Sequence, residues 1–294
     1  MSKSATWLLD HRRDVHSQTG EDGIVEKILA TIGDNDRWCV EFGAWDGQFL
    51  TNTRHLIESS DYSAVLIEAD RGRFADLQRN YAGRANVTTL GRFVGFGAED
   101  NLDVILAATP IPRDFDFLSI DIDGNDFHVW KAMAIYRPKV VVIEFNPTIP
   151  PPLRFVQPAD PALNQGCSLD ALVELGKQKG YELVSAVLFN AFFVRAEYLP
   201  LFELESNSPA ALRTDLAAVT WLFTGFDGTL FLRGSCHMPW HGLALKESRF
   251  QRLPRFLRHF PGNYSRLQKV VFGLLVLFTE PAKFLPRRQK PEPR

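Results

Sequence analysis

Cysteine is scarce in this chain of 294 residues. Cys39, Cys167 and Cys236 are too few and too scattered for a disulfide framework or a cysteine-only zinc site, and they fit a reducing compartment. Long apolar runs are lacking too. The longest, 270–279, is about half of the ~18 residues that a membrane-spanning helix needs. A secretory pattern is not expected, because the short apolar stretch near the start is cut at once by Asp10, Arg12 and Arg13. No internal repeat of solenoid period is present. With 20 Gly and 18 Pro the chain is neither collagen-like nor of low complexity. What remains is an ordinary globular protein, expected to be cytoplasmic.

A large net charge is lacking as well. The formal net charge of -2 hides an asymmetry. Residues 246–294 carry 12 Lys and Arg against 3 Asp and Glu, a charge of +9, whereas residues 1–245 carry -11. In the basic segment Arg249, Arg252, Arg255 and Arg258 recur every third residue, with Phe250, Leu253, Phe256 and Leu257 between them. The apolar run 270–279 and a second basic cluster, Arg287, Arg288 and Lys290, follow. Such a segment suits an anionic partner. The expected one is the inner face of a membrane, met peripherally. Nucleic acid is not expected, since the acidic body would repel a long duplex. The alternative is that the apolar residues pack on the core and the arginines form a solvated face.

Short β-branched or aromatic runs alternate with helical patterns through residues 38–145. Strands are expected at 38–42, 64–68, 86–90, 115–121 and 139–145, with helices at 52–59, 73–81, 102–108 and 126–135. Near-continuous apolar strands separated by helices indicate a buried parallel sheet covered on both faces. Residues 146–166 hold six prolines and read as a long loop. Ser168 then caps a helix to about residue 179. Strands at 181–187 and 191–195, separated by Leu188, Phe189 and Asn190, suit a hairpin. The periodicity gives a doubly wound α/β sheet; by analogy, this inventory, mostly parallel with a terminal antiparallel hairpin, resembles that of the Rossmann-like class I methyltransferase fold. The expected organisation is an α/β domain at 1–196, an accessory segment packed on it at 197–245, and a basic amphipathic extension at 246–294.

In open α/β sheets ligands bind at the carboxyl ends of the strands. The first strand here runs from Glu41 into a turn with Gly43 and Gly47 at its ends, small enough for close backbone approach. A carboxylate at position 41 would repel a pyrophosphate but attract an ammonium. Glu68 ends the second strand, where a carboxylate can accept from both hydroxyls of a ribose. Asp121, Asp123, Asp126 and His128 crowd the end of the fourth. In an extended strand Asp121 and Asp123 face one side. Clustered carboxylates call for a cation, a proton or a basic partner among them. Asp126 reads equally as a helix cap, and His128 as a carboxylate's partner or as a general base. Glu144 and Asn146 follow the fifth strand. Oxygen ligands from adjacent strand ends, Asp121 and Glu144 foremost, suit Mg²⁺ or another hard divalent cation; a metal-free site is the alternative.

Taken together, Ser17-Gln18-Thr19-Gly20-Glu21-Asp22, residues 41–47, Thr51-Asn52-Thr53, Leu66-Ile67-Glu68-Ala69-Asp70, Ile120-Asp121-Ile122-Asp123-Gly124 and Ile143-Glu144-Phe145 resemble the FkbM-type methyltransferase family, over about residues 15–195. The resemblance implies S-adenosylmethionine as methyl donor and, usually, O-methylation, often of sugar hydroxyls. It implies that Glu41, Gly43, Ala44, Gly47 and Asn52 hold the methionine end of the cofactor, that Glu68 holds its ribose, and that Asp121 lies near the transferred methyl. Gln18 and Glu21 would close over the cofactor. Trp45 departs from the family, which commonly has a small polar residue there, and Asp123 stands where many members have Glu.

The resulting expectation is an O-methyltransferase acting on a hydroxyl of a glycan, glycolipid or related small molecule. Asp121, Asp123 and His128 are the candidates for the proton, and loop 146–166 for the acceptor wall. The rivals are a catalytically degenerate module for interaction or membrane association, and a metal-dependent enzyme using Asp121, Asp123, His128 and Glu144.

Overall fold

A computed structural model describes residues 2–33 and 36–284. The chain divides into two compact units, Met1–Ala217 and Ala218–Arg294.

The first unit is built on β1 (Trp38–Phe42), β2 (Ser63–Glu68), β3 (Val87–Gly91), β4 (Phe117–Ile120), β5 (Val140–Glu144), β6 (Tyr181–Ala186) and β7 (Asn190–Arg195). Their order in the sheet is β3-β2-β1-β4-β5-β7-β6. Strands β1 to β5 pair in parallel, and β7 lies antiparallel to both of its neighbours. This is the class I methyltransferase arrangement, as the strand inventory indicates. The central strands are buried on both faces, which their uninterrupted Val, Ile, Leu and Phe content requires.

Alternation sorts the strand side chains onto two cores. Val40, Phe42, Ile67, Leu118, Ile120 and Ile143 pack on one face, with Trp130. Cys39, Leu66, Phe117, Val140, Val142 and Phe192 pack on the other, with Ile24 and Leu56. The first face therefore carries α5 (Asp126–Ala132), and the second carries α1 (Glu21–Ile32) and α2 (Arg54–Ser59). The remaining helices of this unit are α3 (Arg71–Asn80), α4 (Leu102–Leu106), α6 (Leu169–Gln178) and α7 (Pro209–Leu212). Side-chain caps set several of their starts: Asp70 accepts from the amides of Gly72 and Arg73, Asn101 from Val104, and Ser168 from Ala171, the cap expected at that position.

Register positions the site. Phe42 pairs with Ile67 and with Ile120, and Ile120 pairs with Ile143. The next residue of each strand, Gly43, Glu68, Asp121 and Glu144, therefore falls in one row along the carboxyl edge.

Residues 197–217 belong to this unit. Phe202 and Leu212 are buried, and the Lys3 amide donates to the Glu203 carbonyl. The second unit has a hairpin of β8 (Thr220–Thr224) and β9 (Leu230–Gly234), then α8 (Glu247–Phe250) and α9 (Arg266–Thr279). At the expected turn Asp227 accepts from the amide and hydroxyl of Thr229. Leu232, Leu257 and Tyr264 are buried. Arg287, Arg288 and Lys290 lie outside the described residues. Among the described residues no helix is long and apolar enough to cross a membrane.

Candidate functional site at the carboxyl edge of the sheet

The turn after β1 is shaped by two glycines in the left-handed region. Gly43 (φ +74°) lies directly on the backbone oxygen of Asp121, leaving no room for a Cβ. At Gly47 (φ +71°) that room is taken by Tyr81 and Leu77, and the Tyr81 hydroxyl donates to the Gly47 carbonyl at 2.8 Å. The Ala44 amide donates to Ile67, so the turn folds over the end of β2. There the buried Glu68 carboxylate accepts from the amides of Trp45 (2.9 Å) and Asp70 (2.7 Å). Each oxygen keeps a free lone pair. Only the backbone of Trp45 serves this junction. Its indole turns outward, half-exposed, with the Arg73 guanidinium 3.2 Å from the ring centroid. A large residue is thus accommodated at this turn.

Glu41 faces the core side that carries α1 and α2. Its Oε2 accepts from the hydroxyls of Thr51 and Thr53, and its Oε1 accepts from the Asn52 amide at 2.9 Å. Burial raises its pKa, and these hydrogen bonds oppose the rise. The carboxylate's capacity is therefore spent largely on the 51–53 turn. Asn52 in turn donates from Nδ2 to Ser119 Oγ at 3.0 Å, linking this turn to β4.

Ligand oxygens of Asp121, Asp123 and Glu144 lie within 4.8 Å of one another. An extended strand does not bring Asp121 and Asp123 together, because β4 ends at Ile120. A turn does so instead, with Asp123 at φ +56° and Gly124 at φ +152°. Asp126 holds that turn: its two oxygens accept from the amides of Ile122 (2.9 Å) and Gly124 (2.8 Å). It stabilises the preceding loop and is not the N-cap, which is Asn125. Burial raises the pKa of Asp121, and the charges of Asp126, Asp123 and Glu41 add to it. Glu144 is raised too, by burial and then by Asp121, with which it shares a hydrogen bond. Two carboxylates in hydrogen-bond contact hold a proton between them or share a cation.

The structure does not bring every expected residue to this cluster. The His128 Nε2 sits 2.9 Å from the Gln157 carbonyl, which only accepts, so Nε2 donates. The ring packs beside Phe96 and Phe127. The physical reason is the face: α5 packs opposite the side that Ser119 and Glu41 take. Asn146 is also committed, its Oδ1 accepting from the amide and hydroxyl of Thr148. The side chain of Gln18 is exposed, and its amide donates to the buried Glu21. Glu21 is the residue of that motif that reaches the sheet, accepting from Asn190 Nδ2 at 2.9 Å.

Three contributors were not apparent from sequence. Asn190 opens β7, pairs across from Glu144, and is buried with no partner for Oδ1. Its position at the hairpin end was the available signal. Gln157 and Arg213 shape loop 146–166. Gln157 Oε1 accepts from the amides of Gln165 and Gly166, both at 2.7 Å. Arg213 lies over the Phe145 ring and donates to the carbonyls of Pro147 and Ile149. Asn164 Nδ2 donates to the Asp123 carbonyl at 2.8 Å, so the loop borders the carboxylates.

No family model matches the chain, and no curated protein matches it. Solved structures do. A SAM-dependent methyltransferase from Aquifex aeolicus is 13% identical, with 58% of this chain and 89% of that one covered and a TM-score of 0.37. The N-terminal domain of EvdMO1 in the presence of SAH and D-fucose is 14% identical, covering 60% and 82%, with a TM-score of 0.38. The glycopeptide N-methyltransferase MtfA complexed with S-adenosyl-L-methionine is 9% identical, covering 57% and 85%, with a TM-score of 0.35. At these values the likenesses carry no argument about activity. The strand order carries the fold.

Proposed function

We infer that the first unit is an S-adenosylmethionine-dependent methyltransferase that methylates a hydroxyl oxygen of a glycan, glycolipid or related small molecule. The observation that carries this reading is the row formed by Gly43, Glu68, Asp121 and Glu144 at the carboxyl edge of a sheet with class I order. Gly43 and Gly47 let the turn after β1 fold tightly against Asp121, Tyr81 and Leu77 beside that row. Glu68 is pre-oriented by two backbone amides, and its free lone pairs suit a ribose diol. Glu41 orders the 51–53 turn, and its carboxylate would attract the cofactor's ammonium group.

The cofactor's sulfonium supplies an electrophilic methyl group. The chain's own residues must hold the acceptor oxygen in line and take its proton. Asp121 and Glu144 suit the second task, because burial and mutual repulsion make them stronger bases than ordinary carboxylates. His128 acts as a positioning residue, tying α5 to loop 146–166. The acceptor would lie between that loop and the carboxylates.

The donor set also fits a hard divalent cation. Asp121, Asp123 and Glu144 offer oxygen ligands, and the unpartnered Asn190 Oδ1 lies opposite Glu144 in register. Such a cation would lower the pKa of an acceptor hydroxyl.

Calorimetric titration of the full chain with S-adenosylmethionine and S-adenosylhomocysteine tests the reading. Binding of both at one site is expected. Failure of both, with Mg²⁺ still binding, would favour a metal-dependent enzyme of another class.

A further inference from the structure

Helix α9 has the sequence RLQKVVFGLLVLFT, apolar on every side from Val270 to Phe278, yet none of its residues is buried. A helix of this composition normally sits in a protein core. One side of it meets its own unit: Phe272 packs on Tyr264 with centroids 5.5 Å apart, and Gln268 donates to the Phe256 carbonyl. The opposite side presents Leu267, Val270, Leu274, Leu277 and Phe278, which fall on one stripe by the helical period and are between 45% and 81% exposed.

Charge says what covers that stripe. Residues 246–294 carry a charge of +9. Arg266 and Lys269 lie in the first turn of α9, which has no acidic residue. The helix dipole disfavours cations there, so this placement costs stability in water and is relieved against an anionic surface. The helix is about 21 Å long at 1.5 Å per residue, too short to cross a bilayer and long enough to lie along one. The segment's end, with five further basic residues, Lys283, Arg287, Arg288, Lys290 and Arg294, is not an apolar cover in composition.

We propose that the second unit seats the protein on an anionic lipid bilayer, with the Leu267–Phe278 stripe of α9 entering the acyl boundary and Arg266 and Lys269 meeting headgroups. The occupant is lipid because the stripe combines bulky apolar side chains with uncompensated positive charge, the pairing of an interfacial helix. This inference does not rest on the methyltransferase reading, since every residue in it lies in the second unit.

Sedimentation of the full chain with phosphatidylcholine vesicles, with and without phosphatidylserine, tests it. Binding to the anionic vesicles at low salt, weakened as salt is raised, is expected. Arg266→Gln with Lys269→Gln should lower the partition roughly 30-fold. Leu274→Glu with Phe278→Glu, both at exposed positions and checked for native circular dichroism, should lower it by at least roughly 100-fold. No binding at low salt would overturn the proposal. So would binding unchanged by the Leu274 and Phe278 substitutions, which would reduce the contact to charge alone. A concentration-dependent dimer abolished by those substitutions, without vesicle binding, would assign the stripe to a second copy of the chain instead.

Discussion

A Cβ at position 43 would stand 1.9 Å from the backbone oxygen of Asp121. The end of β1 and the end of β4 therefore touch through a glycine, and the turn after β1 and the carboxylate cluster share one backbone contact. Gly43→Ala should separate them. Left-handed strain and overpacking together should destabilise the first unit by about 2–4 kcal/mol. Gly83→Ala is the control, because Gly83 also has positive φ (+84°) but nothing lies within 4 Å of its Cβ position. Urea denaturation of both variants separates strain from contact. Equal losses would remove the argument for the contact.

Glu68 is a hinge of the same turn, through its hydrogen bonds to the Trp45 and Asp70 amides. Glu68→Ala should lower cofactor affinity by roughly 10- to 150-fold, the equivalent of losing hydrogen bonds to a charged group worth ~1.5–3 kcal/mol. Glu68→Gln keeps the shape and one acceptor oxygen, and should lose affinity with less loss of stability. Calorimetry with S-adenosylhomocysteine measures both. Wild-type affinity in Glu68→Ala would end the ribose assignment.

The parts of this fold legible in sequence are those that local chemistry dictates. Runs such as Val140-Val141-Val142-Ile143 can only be a doubly covered strand, and Ser168 can be recognised as a cap before its helix is seen. The carboxylates of Asp121, Asp123 and Glu144 were legible because they end two such runs. What sequence does not carry is which strands become neighbours and which face a helix covers. Insertion of β7 between β5 and β6 sets Asn190 beside Glu144, a pairing no local pattern encodes. His128 reads as a partner of Asp121 by proximity in the chain, yet α5 takes the opposite face of the sheet. Glu41 reads as a ligand residue, but the hydroxyls that order its carboxylate come from the 51–53 turn, which its own strand does not reveal.

Asp121→Asn should remove most turnover while leaving the fold intact. The substitution keeps the shape and deletes a negative charge from a crowded site, so the melting temperature should hold or rise. Loss of a general base typically costs 10²–10⁴-fold, and a drop of at least roughly 100-fold is expected once an acceptor is identified. Near-normal turnover would exclude Asp121 from proton transfer, and global unfolding would make it structural.

The carboxylate cluster also predicts an unusual pH dependence of stability. Burial, and then the neighbouring acidic groups, raise Asp126 to about 6 and Asp121 to about 8, and raise Glu144 in the same direction. The folded state thus binds more protons than the unfolded state from about pH 4, the ordinary carboxylate value, up to these raised values. Unfolding free energy changes with pH according to protons bound in the unfolded state minus those bound in the native state. That difference is negative here, so stability should fall as pH rises through the window. The charges facing Asp121 are Asp126, Asp123, Glu41 and Glu144, all of one sign, so none offsets the trend. Carboxylates held low, such as Asp70 on the amides of Arg73 and Gly72, are ionised in both states above about pH 5 and do not mask it. Urea midpoints measured with chelator from about pH 5 to about pH 8 should decline. Asp121→Asn should flatten the decline. Mg²⁺ should raise the midpoint most at the alkaline end, because a cation that binds only the folded carboxylates stabilises that state by mass action. A flat profile in chelator would mean that the three acids are not forced together, and a Mg²⁺ effect independent of pH would place the ion elsewhere.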